Sequence, residues 1–193
     1  MKKVLILNGH QYEEGISEGK LTKKILEKAE EFFIKNGFEV KTTNIEQGYD
    51  SDEEGKKFEW ADIVLFQFPV FWMTMPWVAK KYFDDTFVPG VHYANDGRSR
   101  EDVNKKYGSG GLLKNKKYML SLTYNCPKKE FNNPDGFFNG MSVDEANVAV
   151  HKTFQFVGLE AVETFTLFDV FKGELDLKKE LIEFERILEK NFI

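Results

Sequence analysis

The chain has 193 residues, 41% of them hydrophobic, which suits one globular domain with a single core and excludes a disordered chain or a disulfide-stapled miniprotein. Its 27 basic and 32 acidic residues give a net charge of −5, whereas nucleic-acid-binding proteins usually carry a basic excess, so no nucleic-acid partner is expected. The 19 phenylalanines indicate a large core, an apolar ligand slot or a subunit interface, because the phenyl ring forms no hydrogen bonds.

The sequence carries no signal for export or for a membrane span. Cys126 is the only cysteine and cannot form an intrachain disulfide, which suits a reducing compartment. The apolar run after Met1 is too short for a signal peptide. Segment 63–79 has seventeen residues without a charge, but about 20 are needed to span a bilayer, and Pro69 and Pro76 interrupt it. We therefore expect a cytoplasmic protein with no integral membrane segment.

Strand and helix signals alternate along the chain. The unbroken apolar run 4–7 predicts a strand buried on both faces. Apolar residues spaced by three and four then predict an amphipathic helix over 19–36, with Ser17 as its N-cap and Gly37 at its end. The next predicted elements are a strand at 38–43, a short helix at 53–60, a strand at 63–68 and a helix at 76–87.

Residues 88–116 are rich in glycine and charge and show no period, which predicts a long excursion within the domain. The remaining predicted elements are a strand at 117–123, a helix at 142–156, a strand at 161–168 and a helix at 174–191. Strands that alternate with helices need right-handed crossovers and form a parallel sheet. We therefore predict one α/β domain over residues 1–193, a flavodoxin-like three-layer sandwich with a five-stranded parallel sheet of order 2-1-3-4-5.

Ligands of such sheets bind beyond the carboxyl ends of the strands, near the switch point between strands 1 and 3. Three segments should meet there: 8–20 after strand 1, 67–77 after strand 3 and 123–127 after strand 4. We expect the functional residues in these segments.

The first segment resembles two phosphate-binding loops but matches neither. Gly9, Gly15 and Gly19 are too widely spaced for a dinucleotide fingerprint, and the residues around Lys20 do not fit a P-loop. What remains is a loop entering a helix whose free backbone N–H groups can hold phosphate. Lys20 is a weaker candidate for phosphate contact, because most surface lysines are only solvated. An ordinary capped helix is the alternative interpretation.

The second segment follows a buried strand with three large aromatic residues, Phe71, Trp72 and Trp77. These rings can flank the face of a flat ligand while backbone N–H groups of the turn meet its polar edges. The alternative is that they belong to the core or to a subunit interface.

The third segment offers hydrogen-bond donors on Thr123 and Asn125. Cys126 has no C-x-x-C partner and no evident basic neighbour, so we interpret it as a small buried filler rather than a redox thiol. In the excursion, Tyr107 precedes the glycine-rich run 108–111, which either permits a close backbone approach to a ligand or forms a flexible solvent loop.

Other chemistries have little support in the sequence. His10, His92 and His151 are far apart and show no metal-ligand spacing, so no metal site is predicted. A nucleophile elbow of the G-x-S-x-G type is absent. The acidic run 50–54 is interpreted as a solvated loop rather than a cation site.

Several motifs occur in a fixed order along the chain. The pattern Q-F-P-x-x-W-x-x-x-P-x-x-x-K-x-x-x-D-x-x-F is formed by Gln67, Phe68, Pro69, Trp72, Pro76, Lys80, Asp84 and Phe87. Further motifs are segments 60–62, 93–98, 105–112 and 117–123. Together these motifs resemble the NAD(P)H:quinone reductase family of flavodoxin-fold flavoproteins, and the further segments are similar to its bacterial members.

The resemblance implies a homodimeric FAD enzyme that passes a hydride from NAD(P)H through flavin N5 to quinones, two electrons at a time, in a ping-pong reaction. The residues that would hold the FAD pyrophosphate are Ser17, Glu18, Gly19, Lys20, Leu21, Thr22, Lys23 and Lys24. Those that would bind the isoalloxazine are Pro69, Val70, Phe71, Trp72, Thr123, Tyr124, Asn125 and Cys126. Tyr107 and His10 would also contact the cofactor. Because the flavin carries the chemistry, no catalytic acid or base is assigned, and Tyr107 alone is considered for a contribution.

Two features depart from the family pattern. Glu18 and Lys20 stand where amide side chains are expected. Residues 137–139 occupy the stretch where mammalian relatives place a Tyr and His pair over the flavin, so we expect the proton to come from solvent or substrate. The alternative function is a flavodoxin-type FMN electron carrier without a small-molecule substrate of its own. The 88–116 excursion and the phenylalanine content favour the enzyme.

Overall fold

Parallel strands form one central sheet in the computed structural model, which describes residues 1–193. The strands are β1 (Lys3–Asn8), β2 (Glu39–Asn44), β3 (Ile63–Pro69), β4 (Lys117–Thr123), β5 (Glu160–Ala161) and β6 (Phe165–Leu167). Their order is β2-β1-β3-β4-β5, with β6 also bonded to β4. The predicted flavodoxin-like fold and the order 2-1-3-4-5 are therefore confirmed.

The predicted fifth strand, 161–168, is in fact two short strands. Lys117 pairs with Glu160, whereas Ser121 pairs with Phe165, so the edge segment contains one residue more than β4 over the same interval. An extra residue on one strand disrupts the ladder locally, as in a β-bulge. This register shift divides the edge strand into β5 and β6.

Helices cover both faces of the sheet: α1 (Lys20–Lys35), α2 (Ser51–Trp60), α3 (Trp77–Thr86), α4 (Val143–Ala146), α5 (Val148–Val157) and α6 (Leu177–Phe192). The predicted helix 142–156 is thus broken into two, with Asn147 at the junction. The Asn147 side-chain amide donates to Val143 O and to the Tyr124 hydroxyl, both at 2.8 Å. Such local side-chain bonds compete with regular helix bonding, which accounts for the break.

The acidic run 50–54 is not a solvated loop, so that interpretation is wrong. The Asp50 carboxylate caps α2 by accepting from the N–H groups of Asp52 and Glu53. Glu54 is only 3% exposed. Its carboxylate accepts from the Thr43 hydroxyl at 2.8 Å and the Tyr82 hydroxyl at 2.7 Å, and it pairs with Lys57.

Two apolar clusters lie on opposite faces of the sheet. One is packed by α1 and α6, and the other by α2, α3 and α5. Twelve of the 19 phenylalanines are buried, so the core accounts for most of the phenylalanine content. None of the helices is both long and apolar enough to cross a bilayer.

The excursion 88–116 contains no helix or strand, as predicted, and it closes against the end of α5. The Leu113 N–H donates to Val157 O at 2.9 Å. Gly111 packs so closely that a Cβ there would lie 2.3 Å from the Val157 carbonyl carbon, so no side chain fits. The excursion is thereby fixed to the rest of the domain.

Candidate functional site

A cavity of about 410 Å³ opens at the carboxyl edge of the sheet, at the switch point between β1 and β3. Its lining comes from the loops after β1, β3, β4 and β6. The lining residues are His10, Gly15, Ile16, Ser17, Glu18, Gly19, Lys20, Leu21, Thr22, Pro69, Val70, Phe71, Thr123, Asn125, Val170 and Phe171.

Most of the predicted site residues are brought together in this lining. The predicted residues that line it are His10, Ser17, Glu18, Gly19, Lys20, Leu21, Thr22, Pro69, Val70, Phe71, Thr123 and Asn125. The predicted residues outside it are Lys23, Lys24, Trp72, Tyr107, Tyr124 and Cys126. Val170 and Phe171 were missed, although they follow the last strand at the same edge of the sheet, a position that the parallel topology alone could have indicated.

Several residues outside the lining are strongly exposed. Lys23 and Lys24 lie on the solvent side of α1. Trp72 is 94% exposed and borders a neighbouring groove between its own loop and α3. Tyr107 is 70% exposed, and its ring packs on Phe156 with centroids 5.6 Å apart.

The first turn of α1 faces the cavity with free donors. The helix follows Gly19, whose φ of 78° lies in the left-handed region, and no side chain caps it. Ser17 is therefore not the N-cap, and that prediction is wrong. The reason is that residues 13–17 close on themselves, with Ser17 N–H donating to Glu13 O and Glu13 N–H donating to Ser17 O. The backbone N–H groups of residues 20–22 have no backbone acceptor, so they can bind an anion.

His10 lies beneath this turn and is 6% exposed. Its Nε2 lies 2.9 Å from Ser17 O, and its Nδ1 lies 3.3 Å from the Thr22 hydroxyl. Because a carbonyl oxygen only accepts, Nε2 carries a proton and donates to it. A Cβ on Gly19 would lie 3.2 Å from this ring. His10 thus joins the loop to the start of α1.

The only lysine and the only carboxylate of the lining form an ion pair. Lys20 Nζ lies 2.6 Å from Glu18 Oε2. The hydrogen bond from Lys20 lowers the pKa of the Glu18 carboxyl. The same bond raises the pKa of the Lys20 ammonium. Both groups therefore remain charged at neutral pH.

The loop after β3 forms a tight two-residue turn. Phe71 and Thr74 exchange backbone hydrogen bonds of 2.9 and 3.1 Å around Trp72 and Met73. Trp72 has φ 47° and Met73 has φ 69°, values that such turns usually give to Asn and Gly. Each non-glycine residue in such a conformation costs about 1–3 kcal/mol. The Trp72 indole extends from this turn into solvent.

Backbone hydrogen bonds tie the walls of the cavity to β4. The Val70 N–H donates to Thr123 O at 2.9 Å, and the Val170 N–H donates to Tyr124 O at 3.1 Å. Tyr124 itself is buried, which places it behind the wall rather than in it. Burial raises the pKa of the half-buried Cys126 thiol, which disfavours a reactive thiolate.

Metal-ligand geometry does not occur in the structure, because no three His, Cys, Asp or Glu side chains are grouped so that they could hold a metal ion. His92 is buried against Gly55, and His151 bonds to Tyr118 and Asp144.

Known proteins with similar sequences decide the family. A flavodoxin-like fold family model matches residues 2–189. NADPH:quinone oxidoreductase MdaB of Haemophilus influenzae is 39% identical over 191 residues, which cover 98% of this chain and 98% of that protein. The chain belongs to the NAD(P)H:quinone reductase family of flavodoxin-like proteins. This chain is also similar to an uncharacterized protein of Schizosaccharomyces pombe, with 40% identity over 173 residues that cover 89% of this chain and 88% of that protein.

Solved structures agree on the fold of this quinone reductase family member. The general stress protein 14 of Treponema denticola, solved in complex with FMN, superposes with a TM-score of 0.73 at 18% identity and covers 98% of this chain and 99% of that chain. The motif resemblance to bacterial quinone reductases, in particular modulator of drug activity B, is confirmed by the Haemophilus influenzae relative.

Proposed function

We propose that this protein is an FAD-dependent NAD(P)H:quinone oxidoreductase that works by two-electron ping-pong transfer. NAD(P)H would deliver a hydride to N5 of the bound flavin and leave before a quinone enters the same slot and takes up two electrons. One observation carries the proposal: a single cavity at the switch point combines an uncapped helix start with an apolar wall. The similarity to a protein named NADPH:quinone oxidoreductase supports the same reaction.

The residues present fit a flavin nucleotide. The free N–H groups of residues 20–22 suit a phosphate, because the positive end of the α1 dipole adds to their hydrogen bonds. Val70 and Phe71 offer an apolar surface to a flat ring. The backbone N–H groups of Asn125 and Cys126 have no backbone acceptor and can donate to polar atoms at the ring edge. Such donors favour negative charge on a reduced ring.

Binding and orientation are the tasks we assign to the side chains. Thr123 and Asn125 would fix the ring edge. Trp72 borders the neighbouring groove rather than the lining, and its exposed indole would extend over one side of a bound ring from the strained turn. No acid or base is assigned, because hydride transfer needs none and solvent can supply the proton. Tyr107 lies outside the cavity lining, so a role for it requires a site completed by a second copy of the chain.

We also propose a cytoplasmic homodimer. Trp72 and Trp77 border one groove and are 94% and 65% exposed, and adjoining large apolar side chains left in solvent are typical of surfaces that bind a second subunit. Light scattering coupled to size-exclusion chromatography tests the dimer, and a mass near 22.5 kDa would contradict it.

The function is tested by cofactor release and steady-state kinetics. Purified protein is expected to be yellow and to release FAD on heating, and rates with NADPH and menadione should give parallel double-reciprocal lines. Release of FMN alone, without quinone reduction, would instead support the electron-carrier alternative, for which the FMN complex of the Treponema denticola protein is the favouring observation. A colourless protein with no affinity for added FAD contradicts both functions.

A further inference from the structure

The cavity lining contains a single pair of charged side chains. Glu18 and Lys20 are the only acidic and the only basic residue of the Asp, Glu, Lys and Arg types in the lining, and their charged atoms lie 2.6 Å apart. The pair therefore leaves the entrance near neutral, although the free N–H groups of residues 20–22 make it a site for an anion. An anion that enters meets a carboxylate as well as the helix start.

The pair is easy to separate. Lys20 has 85% of its side chain exposed and Glu18 has 36%, and exposed ion pairs contribute little stability because water screens them. An ammonium that moves to a phosphate oxygen keeps a charge-assisted hydrogen bond. The carboxylate left behind can be solvated, since it is partly exposed.

We propose that Glu18 and Lys20 form an exchangeable ion pair that controls the phosphate subsite: Glu18 holds Lys20 in the free protein, and Lys20 transfers to the phosphate of a flavin nucleotide when it binds. The inference rests on the proposed function, because it takes the anion to be the phosphate of that nucleotide. Glu18 then lowers affinity in two ways, by holding the lysine and by repelling the phosphate, and both effects weaken with salt.

The test compares Glu18→Gln and Lys20→Gln with Glu53→Gln, whose partner Lys56 also lies 2.6 Å away but on α2, outside the cavity lining. Flavin fluorescence gives the dissociation constants of the full chain, freed of flavin by dialysis, for FAD, FMN and riboflavin. We expect Glu18→Gln to bind FAD about fivefold more tightly and Lys20→Gln about tenfold more weakly, with smaller differences at about 0.5 M salt. Riboflavin, which has no phosphate, should bind all variants within about twofold.

The double variant distinguishes the exchange from a general structural effect of the Glu18 substitution. In the Lys20→Gln background, Glu18→Gln should increase FAD affinity less than it does in the unmodified chain, because only the repulsion of the phosphate remains to be removed. Weaker or unchanged FAD binding by Glu18→Gln would overturn the exchange but leave the proposed function in place. The exchange is also overturned if Glu18→Gln increases the affinity for riboflavin as much as that for FAD, or if Glu53→Gln increases the affinity for FAD as much as Glu18→Gln does. Failure of the unmodified chain to bind any flavin would instead refute the proposed function, and the exchange with it.

Discussion

Replacement of Glu54 by alanine should destabilise the fold strongly, although the residue lies in a run of charges. The buried carboxylate accepts from Thr43 and Tyr82 and pairs with Lys57. Its loss leaves two buried hydroxyls without an acceptor and one ammonium without its partner. Breaking a buried, hydrogen-bonded pair typically costs about 3–5 kcal/mol. For a domain of this size that corresponds to a fall in Tm of about 6–20 °C.

The measurement is urea unfolding and calorimetry of Glu54→Ala beside Glu53→Ala. Glu53 is the neighbouring residue, but its side chain is 64% exposed, so its variant should keep its Tm within about 2 °C. Glu54→Gln should lie between the two, because its amide oxygen can still accept from both hydroxyls, whereas the ion pair with Lys57 is lost. If Glu54→Ala loses no more stability than Glu53→Ala, the carboxylate does not hold α2 and α3 together and the reasoning from burial fails.

Three further outcomes can be measured on the same protein. Trp72→Ala should release bound flavin about tenfold faster, as measured by fluorescence. Its Tm should be unchanged, because the indole packs on little of the protein. An unchanged release rate would show that Trp72 does not contact the flavin. Met73→Gly should raise the Tm, because glycine adopts positive φ without strain, and a fall would show that the turn is unstrained. The hydrogen bond from His151 lowers the pKa of Asp144. The interaction therefore stabilises the fold fully at pH values above about 4, the pKa of the carboxyl in the unfolded chain, and this stabilisation is lost as the pH falls through the lower pKa of the folded state. Asp144→Asn should flatten the acid side of a stability-against-pH curve, and an unaltered slope would contradict this.

The sheet order could be predicted because continuous apolar runs mark buried parallel strands, and alternation with helices leaves few topologies. The break in the edge strand could not, because it depends on the register with β4. The burial of Glu54 was hidden for a similar reason: its partners Thr43 and Tyr82 lie in other elements, and a run of acidic residues looks solvated in isolation.

Within the site, the sequence located the loops better than the side chains. The helix start was predicted near the correct place, but the self-closure of 13–17 moves the cap from Ser17 to Gly19. Phe171 was missed because the three predicted segments follow strands 1, 3 and 4, whereas Phe171 follows the last strand at the same edge of the sheet.

The bonds from Val70 to Thr123 and from Val170 to Tyr124 have a practical consequence for engineering. The first attaches its loop to the last residue of β4 and the second to the residue that follows, so the end of this central strand acts as a common frame for the cavity. The stretch 128–142 packs back onto this frame, because Phe131 and Phe138 are buried against Tyr124. Changes confined to exposed side chains of the two attached loops, such as Trp72 and Phe171, should alter what approaches the opening while its floor keeps its shape, which makes these positions a practical place to redesign acceptor choice.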